Sequence, residues 1–555
     1  MVVIGVVFPA IVMITLMYQN SIFNLFEGFS KDKVLGIGTT PHNVTTMDLG
    51  FRTRLNNTSN QKENKTFSEG ITNNSTNDST PLIKINAQNL HLDGLLASGF
   101  DEASCISRFQ SYLYRKASPH KPSSYLISKL RNYEEIHRKC GPRTRSYNTT
   151  MRNLVRSKEK HHSTNTSCKY IVWTPVNGLG NRMISMAATF LYSLLTDRVL
   201  LVKFEDDMMG LFCEPFLNST WEFPKDSPFW DPTHVETYQR MMEKEKNKSS
   251  LPLVVHLNFR HTQGDPEKFF HCDQSQKLVQ KVPFLILQTD QYFVPSLFMA
   301  PSFSSDITQM FPEKDTVFHH LGRYLFHPSN QAWGLISRFY QAYMEKSDQK
   351  IGLQIRLFSP DSTPHQAVLD LLLSCALQHK LLPELDTENP VTSTRRSTTL
   401  KAVLVASLFP EYGDSLRNMY VTRPTITGEV VGVYQPSHEE HQKFHNNMHN
   451  MKAWTEMYLL SLCDELVTTS LSTFGYVAQG LGGLKPWLLY RIVGGDETQH
   501  DPPCVRDFSM EPCHHIPPKH DCEGKASTDF ITTSFPFIRP CMDYSFGVKM
   551  ANVSV

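Results

Sequence analysis

Short apolar runs that end in polar or glycine-rich loops, each followed by a helical stretch, recur along most of this chain. The run KYIVWTP begins at Lys169, the loop VNGLGN follows it, and the helical stretch RMISMAATFLYSLLTD leads to a second apolar run at Arg198. Strands and helices that alternate in this way are typical of a parallel sheet covered by helices. Further strands are predicted in LPLVVHL, PFLILQTD, KIGLQIRLF, KAVLVASLF, GEVVGVY and DELVTTS, and further helices in HQAVLDLLLSCALQHK and NNMHNMKAWTEMYLLSLC.

The polar linker KSDQ before Ile351 divides these units into two series. Since 555 residues suffice for more than one domain, we predict an α/β fold with two Rossmann-like domains that face a cleft. In such sheets ligands bind beyond the carboxyl ends of the strands. The 55 basic and 54 acidic residues leave a formal charge of +1, and the lack of a basic excess argues against a nucleic-acid partner.

The first residues of the chain form an apolar run. Residues 1–18 carry no charged side chain, and 18 residues is the lower limit of length for a bilayer-spanning helix. We therefore predict a transmembrane anchor within residues 1–26. A cleaved signal peptide and a buried core helix are the alternatives, although no small-x-small cleavage site follows the run. Lys31 and Lys33 follow the run and no basic residue precedes it, which by the positive-inside rule favours a cytosolic C-terminal side.

Potential glycosylation sites indicate the opposite orientation. Residues 30–80 are rich in Asn, Thr and Ser and poor in aromatic residues, so this segment is predicted to be a flexible linker. It contains seven N-x-S/T sequons, and five more lie at Asn148, Asn165, Asn218, Asn247 and Asn552. Together with the apolar N-terminus, the spread of these sequons predicts passage through the secretory pathway, where cysteines can pair.

The chain has 11 cysteines, an odd number that leaves at least one thiol free or paired between chains. In the polar helical lead-in, Cys105 and Cys140 are a plausible bridged pair. The proline-rich C-terminal tail has little apolar core of its own, and we expect disulfides to stabilise it through its four cysteines, Cys504, Cys513, Cys522 and Cys541.

Two strand-end loops are candidates for anion binding. In NGLGNRM, which begins at Asn177, two glycines allow the backbone to approach a ligand at a helix N-terminus, where amides and the helix dipole favour anions. The motif lacks the third glycine of a dinucleotide fingerprint, and a simple tight turn is the alternative. The strand IGLQIRLF ends in Arg356, whose fork suits phosphate or carboxylate, unless an internal salt bridge satisfies it.

A third loop, TTSLSTFGYVAQGLGGLKPW, begins at Thr468 and is the richest in polar groups. Five hydroxyls crowd the end of the strand DELV, and Gly475 opens the next helix. Hydroxyls together with free amides at a helix N-terminus can bind a pyrophosphate without a metal. Capping of that helix is the alternative, but five hydroxyls exceed what one cap needs.

These three loops resemble those of the plant Golgi α-1,2-fucosyltransferases, the group typified by xyloglucan fucosyltransferase. The resemblance continues through EASCISRFQ, SPHKPSSYLISKLRNYEEIHRKCGP, QTDQYFVPSLFM and FHHLGRYLFHP, and it covers about residues 100–545 in order. It implies a variant B-type glycosyltransferase with two domains, anchored in the Golgi membrane as a single-pass type II protein with a lumenal catalytic part. It also implies transfer of L-fucose from GDP-fucose to a galactose 2-hydroxyl, with inversion and with neither a metal nor a cofactor.

On this reading the chain divides into four parts: an anchor at residues 1–26, a glycosylated stem at 27–84, an acceptor-side subdomain at 85–345, and a GDP-fucose-side subdomain with a disulfide-rich tail at 346–555. The partners expected are GDP-fucose, a galactose-terminated glycan such as xyloglucan or arabinogalactan, the membrane, and a second copy of the chain in a homodimer.

Stabilisation of the departing diphosphate should be the largest catalytic contribution. Arg356 is the catalytic candidate for this task, and the donor-binding candidates that assist it are Asn181, Arg182, Ser472, Thr473, Phe474, Gly475 and Tyr476. Asp290, at the end of LILQTDQYF, is the candidate base for the acceptor hydroxyl, with Tyr292 and Phe293 able to stack on sugars. A turn-forming or acceptor-positioning role for Asp290 is the alternative.

Two other acidic or histidine-rich motifs have metal-site spacing. Glu205-Asp206-Asp207 has the E-x-D form of a metal–diphosphate site, but adjacent acids after a strand are common in exposed loops. His441, with His445 and His449 at i+4 and i+8 on a predicted helix, has zinc-site spacing, but a solvated helix face is the preferred interpretation.

Two other functional classes remain open. A protein O-fucosyltransferase would share the donor site, and a glycan-binding protein with an inactive donor site would lack the phosphate chemistry.

Overall fold

The computed structural model describes residues 92–160, 168–246, 250–260, 270–361, 363–388, 397, 399–492, 502–525 and 530–552. The predicted membrane anchor and the whole of the predicted stem lie outside these residues, as do the sequons at Asn165 and Asn247. Within the described part of the chain, no helix combines the length and the apolar character needed to cross a bilayer.

The first sheet is parallel and has five strands in the order β2-β1-β5-β4-β3. Its strands are β1 Lys169–Thr174, β2 Arg198–Val202, β3 Glu236–Thr237, β4 Val254–Asn258 and β5 Phe284–Gln288. Four of them lie in the predicted runs, and β3 was missed because a strand of two residues has no recognisable period.

The second sheet has six strands in the order β11-β10-β9-β6-β7-β8, parallel except for β11 at the edge. Its strands are β6 Gln349–Ile355, β7 Leu400–Ser407, β8 Val430–Tyr434, β9 Glu465–Thr469, β10 Trp487–Leu489 and β11 Cys504–Arg506. The predicted linker therefore lies directly before the first strand of this sheet. A small antiparallel pair, β12 Ile538–Pro540 and β13 Val548–Met550, lies in the tail.

The helices before the linker are α1 Ile106–Gln110, α2 Ser124–Cys140, α3 Arg145–Lys160, α4 Leu179–Thr196, α5 Tyr238–Lys246, α6 Asp273–Val279, α7 Val294–Met299, α8 Ser304–Met310, α9 Val317–Leu325 and α10 Asn330–Tyr343. Those after it are α11 His365–Gln378, α12 Glu411–Thr422, α13 Asn447–Leu460, α14 Thr473–Gly482 and α15 Phe530–Ser534. Short 3-10 turns connect several of them.

One core connects the two sheets. Helix α4 buries nearly all of its residues, since apolar side chains surround its axis and it lies between β1 and the helices α9 and α14. The same apolar cluster takes in α13 from the second half of the chain. The far face of each sheet has its own smaller core, with α11 and α12 on the second sheet and α2 and α3 on the first.

The disulfides differ from the predicted pair. Cys105 bonds Cys213 and Cys140 bonds Cys168, so the prediction of a Cys105–Cys140 bridge is wrong. Cys140 is the last residue of the 17-residue α2, which carries it to the start of β1, while Cys105 lies before α1 beside the loop that follows β2. The buried Cys463 is the free cysteine, which agrees with the odd count.

The tail is held to both halves of the chain, in line with the prediction that disulfides stabilise it. Cys513 bonds Cys541 inside the tail. Two longer bridges connect it outward, Cys375–Cys504 to α11 and Cys272–Cys522 to α6. The tail therefore packs against both sheets' helical layers rather than forming a separate appendage.

Candidate active site

Both sheets have a point where the strand order reverses, and the predicted site residues follow the strands at those two points. In the first sheet the chain runs outward from β1 to β2 and returns to pair β5 with β1. In the second sheet it runs from β6 to β7 and β8, then returns to place β9 on the other side of β6. Loops on either side of such a reversal diverge and leave a crevice at the carboxyl ends of the strands.

At the first crevice, the loop after β1 contacts the loop after β5. Asn177 has a left-handed backbone, with φ of 60°, and its Nδ2 donates to Oδ2 of Asp290 at 2.6 Å. Oδ1 of Asp290 accepts from Nε2 of Gln291 at 2.8 Å. The carboxylate is 2 % exposed, so the two amides orient it as a hydrogen-bond acceptor at the end of β5.

Arg182 has a structural partner rather than a free guanidinium. Its Nη1 lies 2.9 Å from both carboxylate oxygens of Asp207, its Nε donates to the Asn177 carbonyl at 2.8 Å, and both ionic side chains are buried. The predicted donor-binding residue thus neutralises Asp207 and shapes the Asn177 turn. Because Asp206 also pairs, with Lys225 at 3.0 Å, two of the three acids in the metal-like motif have cationic partners.

At the second crevice, Arg356 follows β6. Its backbone N–H donates to Oγ1 of Thr469 at 2.9 Å, and its Nη2 donates to Oε1 of Gln442 at 2.9 Å. Among the described residues no carboxylate lies within ion-pair distance of this guanidinium, so the alternative of an internal salt bridge is not supported. Burial lowers the pKa of Arg356, which is the signature of a cation that has lost water and has gained no anion.

Some hydroxyls of the loop after β9 hydrogen-bond to the protein backbone, and others are available to a ligand. Ser470 donates to the Leu489 carbonyl at 2.6 Å, and Oγ1 of Thr469 accepts from the backbone N–H of Arg356. Ser472 is the N-cap residue of α14, but its side chain makes no capping bond and its hydroxyl has no partner among the described residues. The first amides of α14 have no acceptor within the helix, so this end of α14 can bind an anion.

Gly475 and Tyr476 pack inward from the same turn. A Cβ on Gly475 would lie 3.1 Å from Oε1 of Gln354 and 3.1 Å from Cγ2 of Thr468, so glycine lets α14 approach the sheet. The phenol of Tyr476 is 2 % exposed and donates to Asp543 of the tail. Its hydroxyl is therefore paired with the tail, and the role of Tyr476 in donor binding stays a prediction. Phe474 is partly buried against the core.

The two crevices meet where α4 and α14 begin. Oγ1 of Thr473 donates to Oδ1 of Asn181 at 2.8 Å. A Cβ on Gly180 would lie 2.7 Å from Oγ1 of Thr473 and 2.8 Å from its carbonyl carbon. Glycine at 180 therefore lets the N-termini of α4 and α14, which follow strands of different sheets, lie close together.

Gln442 is a site residue that the sequence did not reveal. It lies in the loop before α13, and its partner Arg356 is 86 residues away, so no local motif indicates the contact. The predicted histidine helix is wrong here, because α13 begins at Asn447 and His445 has φ of 55°, so three histidines do not share one helical face.

An open pocket of about 550 Å³ lies beside Arg356, at the ends of β6, β9 and β10. Phe358 is 46 % exposed there, and two guanidiniums approach its ring, that of Arg356 at 5.8 Å and that of Arg491 at 5.4 Å. An aromatic face next to a cation, with serine and threonine hydroxyls in the lining of the same pocket, suits a planar base linked to a diphosphate.

Comparison with known proteins agrees with this geometry. Residues 62–523 match the family model described as xyloglucan fucosyltransferase. A galactoside 2-alpha-L-fucosyltransferase of Arabidopsis thaliana is 51% identical over 473 residues, covering 84% of each chain. A galactoside 2-alpha-L-fucosyltransferase of Pisum sativum is 49% identical, covering 83% of this chain and 82% of the other.

A solved structure has the same fold. It is an arginine-to-lysine mutant of Arabidopsis thaliana FUT1 in complex with GDP, 50% identical, with a TM-score of 0.76 and coverage of 83% of this chain and 99% of that one. An α/β fold with two mainly parallel sheets, together with these matches, defines a glycosyltransferase. The chain belongs to the xyloglucan fucosyltransferase family and is a fucosyltransferase.

Proposed function

We propose that this protein transfers L-fucose from GDP-fucose to the 2-hydroxyl of a galactose residue. The observation that carries the proposal is the half-buried guanidinium of Arg356, which lacks a carboxylate partner among the described residues, together with the N-terminus of α14, where the side chain of Ser472 makes no capping bond. The relatives named galactoside 2-alpha-L-fucosyltransferase and the GDP complex of a homologous structure support the same donor and acceptor chemistry.

The reaction breaks the bond between the anomeric carbon of fucose and the diphosphate oxygen. The bonding electron pair leaves with GDP, whose added negative charge Arg356 and the first amides of α14 would stabilise. The galactose 2-oxygen forms the new bond from the opposite face, so the anomeric configuration inverts. Asp290, oriented by Asn177 and Gln291, takes the proton of that hydroxyl.

The arrangement needs no metal in this proposal. Where metal-dependent enzymes place a carboxylate-bound cation next to the diphosphate, this site places a guanidinium and helix amides. The acidic motif that could have held a cation is instead engaged by Arg182 and Lys225. A glycan-binding protein with an inactive donor site would have no need of a half-buried arginine that lacks a carboxylate partner among the described residues.

The acceptor we propose is a galactose-terminated cell-wall glycan, xyloglucan or arabinogalactan. We further propose that the enzyme works in the Golgi lumen, held as a type II protein by the apolar run at residues 1–26. Five disulfides among the described residues support an oxidising compartment, since such bonds are rare in the cytosol. A homodimer completes the proposed assembly.

An acceptor panel tests the proposal. The purified chain is incubated with GDP-fucose and with galactose-terminated xyloglucan, arabinogalactan and a folded protein domain that carries serine and threonine acceptors. We expect a fucose joined α-1,2 to galactose, identified by the NMR coupling constant and by linkage analysis. Transfer to the protein domain alone would replace the proposal with a protein O-fucosyltransferase, and GDP binding without transfer to any acceptor would overturn it.

A further inference from the structure

The loop at residues 435–446, before α13, contacts the candidate site through Gln442. It leaves the second sheet after β8, and Gln442 extends from it to the guanidinium of Arg356. Two of its residues have a strained, left-handed backbone: Glu440 has φ of 61° and His445 has φ of 55°. A loop that keeps left-handed backbone at two non-glycine residues needs anchors to maintain its conformation.

The anchors are at the start of the loop. Nε2 of Gln435 donates to the carbonyls of Ser407 at 3.1 Å and Phe409 at 3.0 Å, which ties the loop to the end of β7. Oγ of Ser437 donates to Oε1 of Glu456 at 2.5 Å, and the backbone N–H of Glu440 donates to the Leu408 carbonyl at 2.8 Å.

A second set of anchors ties the loop to α13. The carboxylate of Glu439 accepts hydrogen bonds from Lys443 within the loop and from Lys452 on α13. These bonds lower the pKa of Glu439 to about 2, so the carboxylate stays ionised throughout the physiological range. Gln442 is therefore carried by a loop that is fixed on both sides.

The two ends of the Gln442 amide contact different halves of the molecule. Its oxygen accepts from Nη2 of Arg356, after β6. Its nitrogen lies 2.9 Å from where a Cβ on Gly178 would stand, in the loop after β1. Gly178 has φ of −71°, a conformation open to alanine, so among the described residues the space taken by this amide is what favours glycine there.

We propose that Gln442 is a positioning residue for donor binding: it holds Nη2 of Arg356 and rests against Gly178, so that the remaining N–H groups of the guanidinium face the diphosphate. This inference rests on the proposed function, because it concerns the same arginine. Without Gln442 the guanidinium must be ordered when the donor binds, and the entropy of that ordering reduces affinity.

The test is GDP binding by calorimetry with four variants of the purified chain: Gln442→Ala, Gly178→Ala, the double variant, and His441→Ala as the matched control. We expect each of the first two to weaken GDP binding by up to about tenfold, the size expected when one long side chain must be ordered on binding. The Gly178→Ala methyl moves the Gln442 amide, so the double variant should bind GDP as Gln442→Ala does. His441 is the exposed neighbour, and its variant should bind GDP as the parent does.

Kinetics separate positioning from stability. Gln442→Ala should raise the KM for GDP-fucose and leave both the KM for the acceptor and the thermal midpoint unchanged. Parental GDP affinity in Gln442→Ala, or additive losses in the double variant, would overturn the inference while the proposed function stands. If the parent chain itself bound no GDP, or if Arg356→Ala bound it as the parent does, the fault would lie with the proposed function instead.

Discussion

Thr473 and Asn181 share a hydrogen bond of 2.8 Å that joins the first turns of two helices following strands of different sheets. Asn181 lies in the first turn of α4, after β1, and Thr473 opens α14, after β9. Both strands stand at the reversal point of their sheet. The bond therefore fixes the relative position of two helix N-termini. A diphosphate could contact both halves of the chain at the same time only if these two anion-binding helix ends lie close together.

The close approach at Gly180 predicts a severe effect of one methyl group. In Gly180→Ala the new Cβ would meet the backbone of Thr473, which cannot move as a flexible side chain can. We expect overpacking to cost about 1–3 kcal/mol of unfolding free energy, and misplacement of the α14 amides to lower kcat by about 100-fold. Denaturant unfolding and steady-state transfer assays measure the two effects.

Gly334→Ala is the matched control for that prediction. Gly334 lies inside α10, and its Cβ would meet only the end of the flexible Arg338 side chain, at 2.9 Å. Since alanine favours helix over glycine by about 1 kcal/mol, this variant should be as stable as the parent or more so, with full activity. Equal activity in both glycine variants would contradict the role assigned to the α4–α14 contact.

Arg356→Lys should remove most fucosyl transfer while the fold survives. Lysine keeps one positive charge but loses the planar fork, and its ammonium cannot contact Gln442 and a diphosphate with the same geometry. Steady-state kinetics with GDP-fucose measure the loss, and circular dichroism checks the fold. Arg138→Lys, whose exposed guanidinium pairs with Glu135 on α2, is the control. Activity of Arg356→Lys within about twofold of the parent would remove Arg356 from the donor site.

Chelation should leave transfer unchanged. In the proposed site a guanidinium, hydroxyls and amides bind the diphosphate, and Asp207 already forms a buried ion pair with Arg182. The assay is run with EDTA and then with added manganese. Loss of turnover with EDTA and recovery with manganese would instead favour a metal at the Glu205-Asp206-Asp207 motif.

Sequence reasoning located the parts of this site that lie at strand ends, and structure was needed for the parts that depend on partners. Asp290, Arg356 and Thr473 follow buried apolar runs, so their place at the carboxyl edge follows from the parallel α/β pattern. The pairing of Arg182 with Asp207 was not predictable, because the two residues are 25 positions apart and only the turn after β2 brings them together.

The same limit applies to disulfides and to Gln442. Cys272 and Cys522 are 250 residues apart, and their pairing depends on how the tail returns to the first half of the chain. Gln442 lies in a polar segment whose sequence predicts only a solvated surface. Both contacts are set by tertiary packing, which neither periodicity nor spacing encodes.

Acid should destabilise the protein between about pH 6.5 and pH 4. Burial lowers the pKa of five histidines that are more than nine-tenths buried in the described part of the chain: His137, to about 4, His320 and His514, each to about 3, and His319 and His327, both well below the usual value. Below pH 6.5 the unfolded chain binds protons at these imidazoles and the folded chain does not, so the free energy of unfolding falls with pH.

Three buried carboxyls act in the opposite sense. Burial raises the pKa of Glu456 and Glu511 to about 8 and also raises the pKa of Asp507, so these groups favour the folded state at low pH and cost stability as pH rises through their folded-state pKa values. Five imidazoles outweigh three carboxyls below pH 6.5, and thermal midpoints measured in pH steps should therefore decline from pH 6.5 toward pH 4. A midpoint that is constant over this range would contradict the buried neutral state of the histidines.

Asp290→Asn tests the proposed base. The substitution removes proton-accepting capacity, and general-base catalysis contributes about 10²- to 10⁴-fold, so kcat for transfer should fall by that factor. The two side chains are nearly isosteric, but the structure adds a complication. Both carboxylate oxygens accept from amide N–H groups, of Asn177 at 2.6 Å and Gln291 at 2.8 Å, and an asparagine NH₂ would face one of these donors. Gln291→Ala removes one of the facing donors and is the control for that repulsion.

Hydrolysis of GDP-fucose by water separates the roles of Asp290, because it uses the donor site and not the galactose hydroxyl. A variant that keeps hydrolysis and loses transfer, with little change in the KM for the acceptor, identifies Asp290 as the base. A raised acceptor KM with a modest drop in kcat would show that Asp290 only positions galactose. If neither rate changed, the carboxylate would not be the base, and the departing diphosphate itself would have to accept the proton in a dissociative reaction.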